Sequence, residues 1–249
     1  MLNVQLFAIT GIPVVKRNDD VGELIVAAVE KQRLKIEDGD VLAVAQTVIS
    51  RAEGEVVDLR TIRPSHRAVE IAKKIDKDPR MVEVILQQSS EIVRLGHVII
   101  TRTKHGFVCA NAGVDSSNVE DEHVTLLPSD PDASAARIRE TIKKRLGVDI
   151  AVIITDTQGR PFRCGCVGLA IGVAGMKPLA DMRGRRDLYG KELKVTVTCP
   201  ADSLAAAAVM IMGESDEGTP AVLIKGAKYE KDKGSIREVI RAPELDLFR

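Results

Sequence analysis

The sequence has few aromatic side chains, no tryptophan, no excess of either charge and no long apolar run, and each shortage closes off a class of function. Its aromatics are Phe7, Phe107, Phe162, Tyr189, Tyr229 and Phe248. So few rings do not make the row of stacking platforms on which single-stranded nucleic acids lie, and they leave the core to Val, Ile, Leu and Ala. The 36 basic and 36 acidic side chains cancel. That removes the overall field of a nucleic-acid scaffold or a polybasic membrane binder, while leaving room for a local basic cluster around an anionic small molecule. No stretch approaches the roughly 18 apolar residues of a membrane span. The opening Met1-Leu2-Asn3-Val4-Gln5 has no basic region before an apolar core, so no export or insertion is expected and the expected compartment is the cytoplasm. Cys109, Cys164, Cys166 and Cys199 show no paired CxxC spacing. They read as reduced free thiols, with Cys164-Gly165-Cys166 the one arrangement that would suit a soft metal.

Standard phosphate motifs are missing as well. Gly184-Arg185-Arg186-Asp187-Leu188-Tyr189-Gly190-Lys191-Glu192 imitates a P-loop, but five residues separate its glycines and Glu192 stands where a magnesium-binding hydroxyl belongs. Glycines 165, 168, 172 and 175 never form G-x-G-x-x-G, so a Rossmann dinucleotide site has no support. They predict a strand packed closely against another backbone, or a turn over a ligand. Any nucleotide must be held by some other device.

What is present is a chain of 249 residues with 45% hydrophobic content, enough for a substantial core. Residues 3–9 read as a strand broken at Thr10-Gly11-Ile12-Pro13, and a helix follows Asn18-Asp19-Asp20 with Val21, Leu24, Ile25 and Val29 on one face. Val41 to Ala45 is an unbroken apolar run, as in a strand covered on both faces, and it is expected to run on to Ser50-Arg51-Ala52-Glu53-Gly54. Helices are expected around 65–75 and after Asp78-Pro79, and paired strands over 91–109 with a turn near His105-Gly106. A helix opens at Ser129-Asp130-Pro131, carries Ala136, Ile138, Ile142 and Leu146, and stops at Gly147. Strand 149–155, strand 193–198, an alanine-rich helix from about Ala201 to Met212 and strand 221–225 complete the body. Strands interleaved with helices, some in hairpins, predict an α+β or mixed α/β architecture of mixed sheets with flanking helices, in one large domain or two small ones that are read as a single catalytic unit.

Three remote loops carry hard oxygen ligands. Asp115 is the sole acid of a Gly-Val-Asp-Ser-Ser-Asn turn, Asp156-Thr157 closes an apolar strand, and Gly213-Glu214-Ser215-Asp216-Glu217-Gly218-Thr219 gathers three acids. Magnesium or manganese favours such oxygens together with phosphate and water. Each loop has a plainer reading too, since a lone Asp in a turn caps backbone amides and Glu-Ser-Asp-Glu suits a solvated loop. Arg160, Arg163, Arg183, Arg185 and Arg186 form a second cluster, fit either to grip phosphate or carboxylate or to pair with Asp181, Asp187 and Glu192. The four histidines have no ligand spacing.

Taken together, several segments resemble the coenzyme F420-0:L-glutamate ligase family. They are Gly11-Ile12-Pro13, the run from Ala45 to Gly54, the run from Asn111 to Asn118, Thr155-Asp156-Thr157 with Arg160-Pro161-Phe162-Arg163, and Gly213 to Pro220. The resemblance implies a homodimer of two interwoven lobes that uses GTP to add L-glutamate to coenzyme F420-0, then a second, gamma-linked glutamate. It implies two sites for magnesium or manganese, with potassium as an accessory ion. Carried over, Asp115, Asp156, Thr157 and Glu214 become metal ligands. Gly11, Ile12, Pro13, Ser50, Arg51, Asn118, Gly213, Glu214, Ser215, Asp216, Glu217, Gly218, Thr219 and Pro220 become nucleotide contacts. Arg160 and Arg163 are assigned to an anionic substrate. The same acids and arginines would also serve a metal-dependent phosphotransferase or nucleotide hydrolase acting on a small phosphorylated metabolite.

Overall fold

The computed structural model describes residues 3–246. The opening Met1-Leu2 and Phe248, both part of the sequence reading, lie outside the described residues. In chain order the strands are β1 (Gln5–Ile9), β2 (Val41–Ala45), β3 (Val56–Asp58), β4 (Ser89–Leu95), β5 (Ile99–Thr103), β6 (Val108–Ala110), β7 (His123–Thr125), β8 (Ala151–Arg160), β9 (Arg163–Ala174), β10 (Ala180–Asp181), β11 (Val197–Thr198) and β12 (Ala221–Lys225). The helices are α1 (Val21–Gln32), α2 (Gln46–Glu53), α3 (His66–Ile75), α4 (Pro79–Gln87), α5 (Pro131–Leu146) and α6 (Pro200–Met212).

A mixed five-stranded sheet ordered β1-β12-β2-β8-β9 forms the centre, with β2 and β8 its one parallel pair. Its strands are apolar on both faces because both faces are covered. Leu42, Val44, Val152, Ile154 and Leu223 point to one side, where Ile25 and Val29 of α1 and Ile138 and Ile142 of α5 meet them. Val41, Ala43, Ala151, Ile153, Val222 and Ile224 point to the other, against Ala201, Ala205 and Ala208 of α6. A separate core of Leu59, Ala68, Ile71, Val82, Ile85, Ile99, Val124 and Leu126 belongs to the excursion between α2 and α5. The α+β expectation with mixed sheets therefore holds. The second core is a single insertion in the chain, entered once and left once.

The alanine helix and the glycine strand explain each other. A methyl group at Gly168 would sit 2.6 Å from the Ala205 carbonyl oxygen of α6, and one at Gly172 would sit 2.5 Å from the Pro131 carbonyl group of α5. These glycines let two helices lie directly on β9, as the close-packing reading anticipates, and no ligand turn forms there. The first turns of the same helices cap the strand: Asp202 Oδ1 accepts from the Ala170 amide at 3.0 Å and Asp132 Oδ1 from the Val173 amide at 2.7 Å. An edge strand tied in this way offers little to an added strand.

Helix ends follow local chemistry. Asp20 and Asp130 accept from the amides of Glu23 and Ala133, and Gly147 ends α5 at φ 74°.

Five expectations are corrected. The strand beginning at Val41 stops at Ala45, and 46–53 is helix α2, because Ile49 and Ala52 repeat at helical spacing onto the core and Gly54 caps the helix at φ 78°. Asp156-Thr157 is not at a strand end, since β8 runs on to Arg160 as a two-stranded ribbon with β9. Strand 193–198 shrinks to Val197–Thr198, whose partner is the two-residue β10. On α5 the buried face carries Ser134 and Ala135, and Ala136 is exposed. The region 91–109 holds three strands rather than two, with the turn at His105-Gly106 between β5 and β6 as expected.

Candidate active site

Parallel pairing of β2 with β8 runs from Val41 opposite Ala151 to Ala45 opposite Thr155, and there the two strands part. One turns into α2 and the other continues as the ribbon. A crevice beyond the carboxyl ends of adjacent parallel strands is where such sheets take ligands, because a helix N-terminus faces the gap. Here the crevice is a cleft of about 630 Å³ with walls drawn from 12–15, 45–51, 109–118, 155–159 and 209–220. Sheet register accounts for the convergence: Ile9 pairs with Ala221 and Ala221 with Val44, so the segments after β1 and before β12 open at the same edge.

The side suited to an anion is built on α2. Its N-cap, Ala45, has no side chain to satisfy the first-turn amides, and Gln46, Thr47 and Val48 all line the cleft. One turn on, Arg51 donates from Nε to the Val15 carbonyl at 3.1 Å and from Nη1 to the Asn118 carbonyl at 2.8 Å. It thereby ties the 12–15 segment to the 115–118 turn. Among the described residues Arg51 has no acidic partner, so its charge remains available to a ligand in the cleft.

Acidic groups face it. Asp156 keeps part of its surface open to the cleft although protein atoms pack around it nearly everywhere. Burial pushes its carboxyl up to about 6, the neighbouring charges of Asp115 and Glu214 push the same way, and a hydrogen bond from Gln158 Nε2 at 3.0 Å opposes them. Asp115 accepts from the Ser117 amide at 3.0 Å and from the Ser117 hydroxyl. The capping role of an Asx turn is therefore real, and it fixes the carboxylate at the cleft wall. Thr157 Oγ1 donates to Glu214 Oε1 at 2.7 Å across 57 residues of chain. Glu217 is held differently: amides of its own loop, Ser215 foremost, keep its carboxyl below the usual range, and Gly213, at φ 72°, has no room for a Cβ beside it. Glu217 shapes the loop, while Glu214 is the acid linked to Thr157.

The donors suit a hard divalent cation. Asp115, Asp156, Glu214 and Thr157 are oxygen ligands, the buried Thr155 hydroxyl beside them has no protein partner, and mutual repulsion among the acids is what a positive ion would relieve. Among the described residues no group of three or more His, Cys, Asp or Glu is close enough to chelate an ion alone. A cation here would complete its shell with phosphate oxygens and water, as magnesium does.

A model of the F420-0:Gamma-glutamyl ligase family matches residues 10–226. The chain belongs to this family. Among its relatives, the coenzyme F420:L-glutamate ligase of Methanothermobacter thermautotrophicus is 48% identical over 251 residues, covering 100% of both chains. That of Methanopyrus kandleri is 51% identical over 240 residues, covering 94% of this chain and 93% of its own. That of Methanocaldococcus jannaschii is 52% identical over 215 residues, 86% of each.

Within this F420-0:gamma-glutamyl ligase family member, the cleft gathers Ile12, Pro13, Arg51, Asn118, Asp115, Asp156, Thr157 and the whole of 213–220. Other expected residues lie elsewhere. Gly11 is not part of the lining. Ser50 is fully buried, its Oγ 2.6 Å from the Leu126 carbonyl oxygen and 2.9 Å from Gln46 Oε1, so it locks α2 in place instead of touching a ligand. Arg160 and Arg163 stand at the end of the β8–β9 ribbon, outside the lining, with Arg160 Nη2 3.4 Å from the Cys164 carbonyl oxygen. In the second arginine cluster, Arg183 pairs with Asp181 at 2.6 Å.

Sequence reasoning missed Gln46 as a cleft residue, along with Cys109, Gln158, Cys166, Val209 and Met212. Gln46-Thr47 had a usable signal, a polar pair between a buried strand and a helix, hidden by extending the strand. The cysteines are all free thiols, as expected, and burial pushes Cys109 up to about 12.

Proposed function

We propose that the chain is a GTP-dependent ligase that joins L-glutamate to coenzyme F420-0 and then adds a second glutamate through a gamma linkage. Its relatives carry the name coenzyme F420:L-glutamate ligase. The observation that carries the reading is the meeting of Asp115, Asp156 and Glu214, from three remote segments, opposite the uncapped start of α2 in one cleft.

A carboxylate resists attack by an amine because its leaving group would be oxide, so the reaction needs prior activation. In the proposed path the terminal carboxylate of coenzyme F420-0 takes the γ-phosphoryl group of GTP, giving GDP and an acyl phosphate. The α-amine of glutamate then attacks the acyl carbon, and inorganic phosphate leaves with loss of a proton. Magnesium or manganese held by Asp115 and Asp156, with Thr157 and Glu214 in support and potassium as accessory charge, would screen the triphosphate from the incoming carboxylate. Arg51 and the first-turn amides of α2 hold phosphate oxygens, and Arg51 also fixes the spacing of the two loops it bridges. The separation of two anionic reactants is the barrier such positioning lowers.

A homodimer belongs to the same proposal. Phe162 at the ribbon's end is 93% exposed, and Leu188, Tyr189 and Val195 on the following segment are just as open. Large exposed apolar groups suit a second copy of the chain. In that assembly Arg160 and Arg163 would reach an anionic substrate from the end of the β8–β9 ribbon.

Incubating the protein with coenzyme F420-0, glutamate, GTP and manganese, and weighing the products, tests the reading. Products heavier by one and two glutamyl residues, with one GDP formed per residue added, are expected. GTP hydrolysis at the same rate without glutamate and coenzyme F420-0 would refute it in favour of a nucleotide hydrolase.

A further inference from the structure

A second cavity, of about 500 Å³, lies where the turn after β5 meets the segment that follows β12. It shares no lining residue with the cleft. One wall is Ser90, Arg102, Thr103, Lys104, His105 and Gly106; the other is Arg237, Ile240, Arg241, Ala242 and Pro243. Four permanently charged cations and an imidazole therefore border one groove, and no acidic side chain does so among the described residues. The protein as a whole carries no net charge, so the grouping is local, and 130 residues of chain separate its two halves.

Both walls are fixed. Arg102 pairs with Glu91 at 3.3 Å. The His105 ring stacks on Phe107 and its Nε2 lies 2.9 Å from the Pro128 carbonyl oxygen, to which that nitrogen donates. The opposite wall is anchored by Ser235, whose hydroxyl donates to Asp132 Oδ2 at 2.7 Å, and by the buried Ile236. The walls also fit each other: Gly106 has φ 101°, and a Cβ there would lie 3.1 Å from Ile240 Cδ1. Lys104, Arg237 and Arg241 take part in no ion pair among the described residues, so Lys104 on one wall faces two unpaired guanidinium groups on the other.

We propose that this groove is a binding site for a small oxyanion carrying two or more negative charges, on phosphoryl or on carboxylate groups. Like charges converging from distant parts of a chain destabilise the fold unless a counter-charge joins them. Guanidinium forks bind both oxyanion types in bidentate geometry, and Lys104 adds a point charge from the facing wall. The inference is independent of the ligase reading, since it uses none of the cleft residues.

Calorimetric titration of the full chain at low salt with inorganic pyrophosphate, and separately with citrate, tests it. The proteins compared are the wild type, Arg237→Ala/Arg241→Ala and the cleft variant Arg51→Met. Expected is a binding event with at least one of the two anions that persists in Arg51→Met and weakens roughly tenfold or more in the double variant. Which anion is bound identifies the phosphoryl or the carboxylate source. Ligase turnover, measured alongside, is expected to be unchanged in the double variant. The inference is overturned if neither anion binds, or if all binding survives the double substitution or disappears with Arg51→Met. Should the double variant not fold, Lys104→Ala on the other wall reads the same site by the same criteria.

Discussion

Replacing Asp156 by Asn is expected to abolish turnover and, in the cation-free protein, to raise stability at neutral pH. The wild-type carboxyl is pushed from its ordinary 3.8 to about 6 by burial and by Asp115 and Glu214. In the unfolded chain it ionises near its ordinary value; in the folded chain it keeps its proton until the pH approaches 6. Between these limits the folded state binds more protons, so stability falls as pH rises from about 4 to about 6 and stays lower above that. Two pH units correspond to about 3 kcal/mol. Asparagine keeps the shape and carries no such cost. Urea unfolding in the presence of a chelator, at several values from pH 4 to pH 8, measures the difference between the two proteins. It should be close to zero at pH 4 and reach about 2–3 kcal/mol in favour of Asp156→Asn by pH 7. Adding manganese should stabilise the wild type at pH 7 and leave the variant unmoved. A difference that does not change with pH, or an equal response of both proteins to manganese, would refute the electrostatic account of the cleft.

Three more outcomes follow from the geometry. Arg51→Met loses a charge and two hydrogen bonds that join the cleft walls, and should raise the KM for GTP about tenfold or more, a charged hydrogen bond being worth about 1.5–3 kcal/mol; steady-state kinetics checks this, and an unchanged KM would remove Arg51 from the nucleotide site. Gly172→Ala forces a methyl group against the Pro131 carbonyl, a backbone obstacle that cannot swing away, and should cost about 3 kcal/mol or more, read as a lower Tm. Asp132→Ala unties the Val173 amide, the Ser235 hydroxyl and the Ile236 amide together. A loss of about 3 kcal/mol is expected, with faster amide exchange at Val173; protection equal to the wild type there would count against the edge-capping role.

Much of the fold was legible because it rests on local rules. The continuous apolar run at Val41 to Ala45 meant cover on both faces, and the helix from Pro131 to Gly147 announced both its ends. The glycines of β9 predicted close backbone approach, and α6 supplied it. The failures came where local signals compete. Residues 46–53 combine β-branched and helix-favouring side chains, and only the position of Ile49 and Ala52 against the core decides for helix. Val195 and its neighbours alternate like a strand, yet only Val197 and Thr198 form a strand ladder, with β10.

The sequence by itself determined which chemistry the protein can hold: hard oxygens on three remote segments, glycine where helices press on a strand, and family membership through motifs in a fixed order. Only the tertiary structure decided which of those groups meet. Tertiary packing brought Asp156 beside Asp115 and Glu214, buried Ser50 away from the cleft, and left Arg160 and Arg163 at the end of a ribbon outside it. It also assembled a cationic groove from segments with no relation in sequence. Proximity across long stretches of chain is set by strand pairing and packing, which no local pattern of residues encodes.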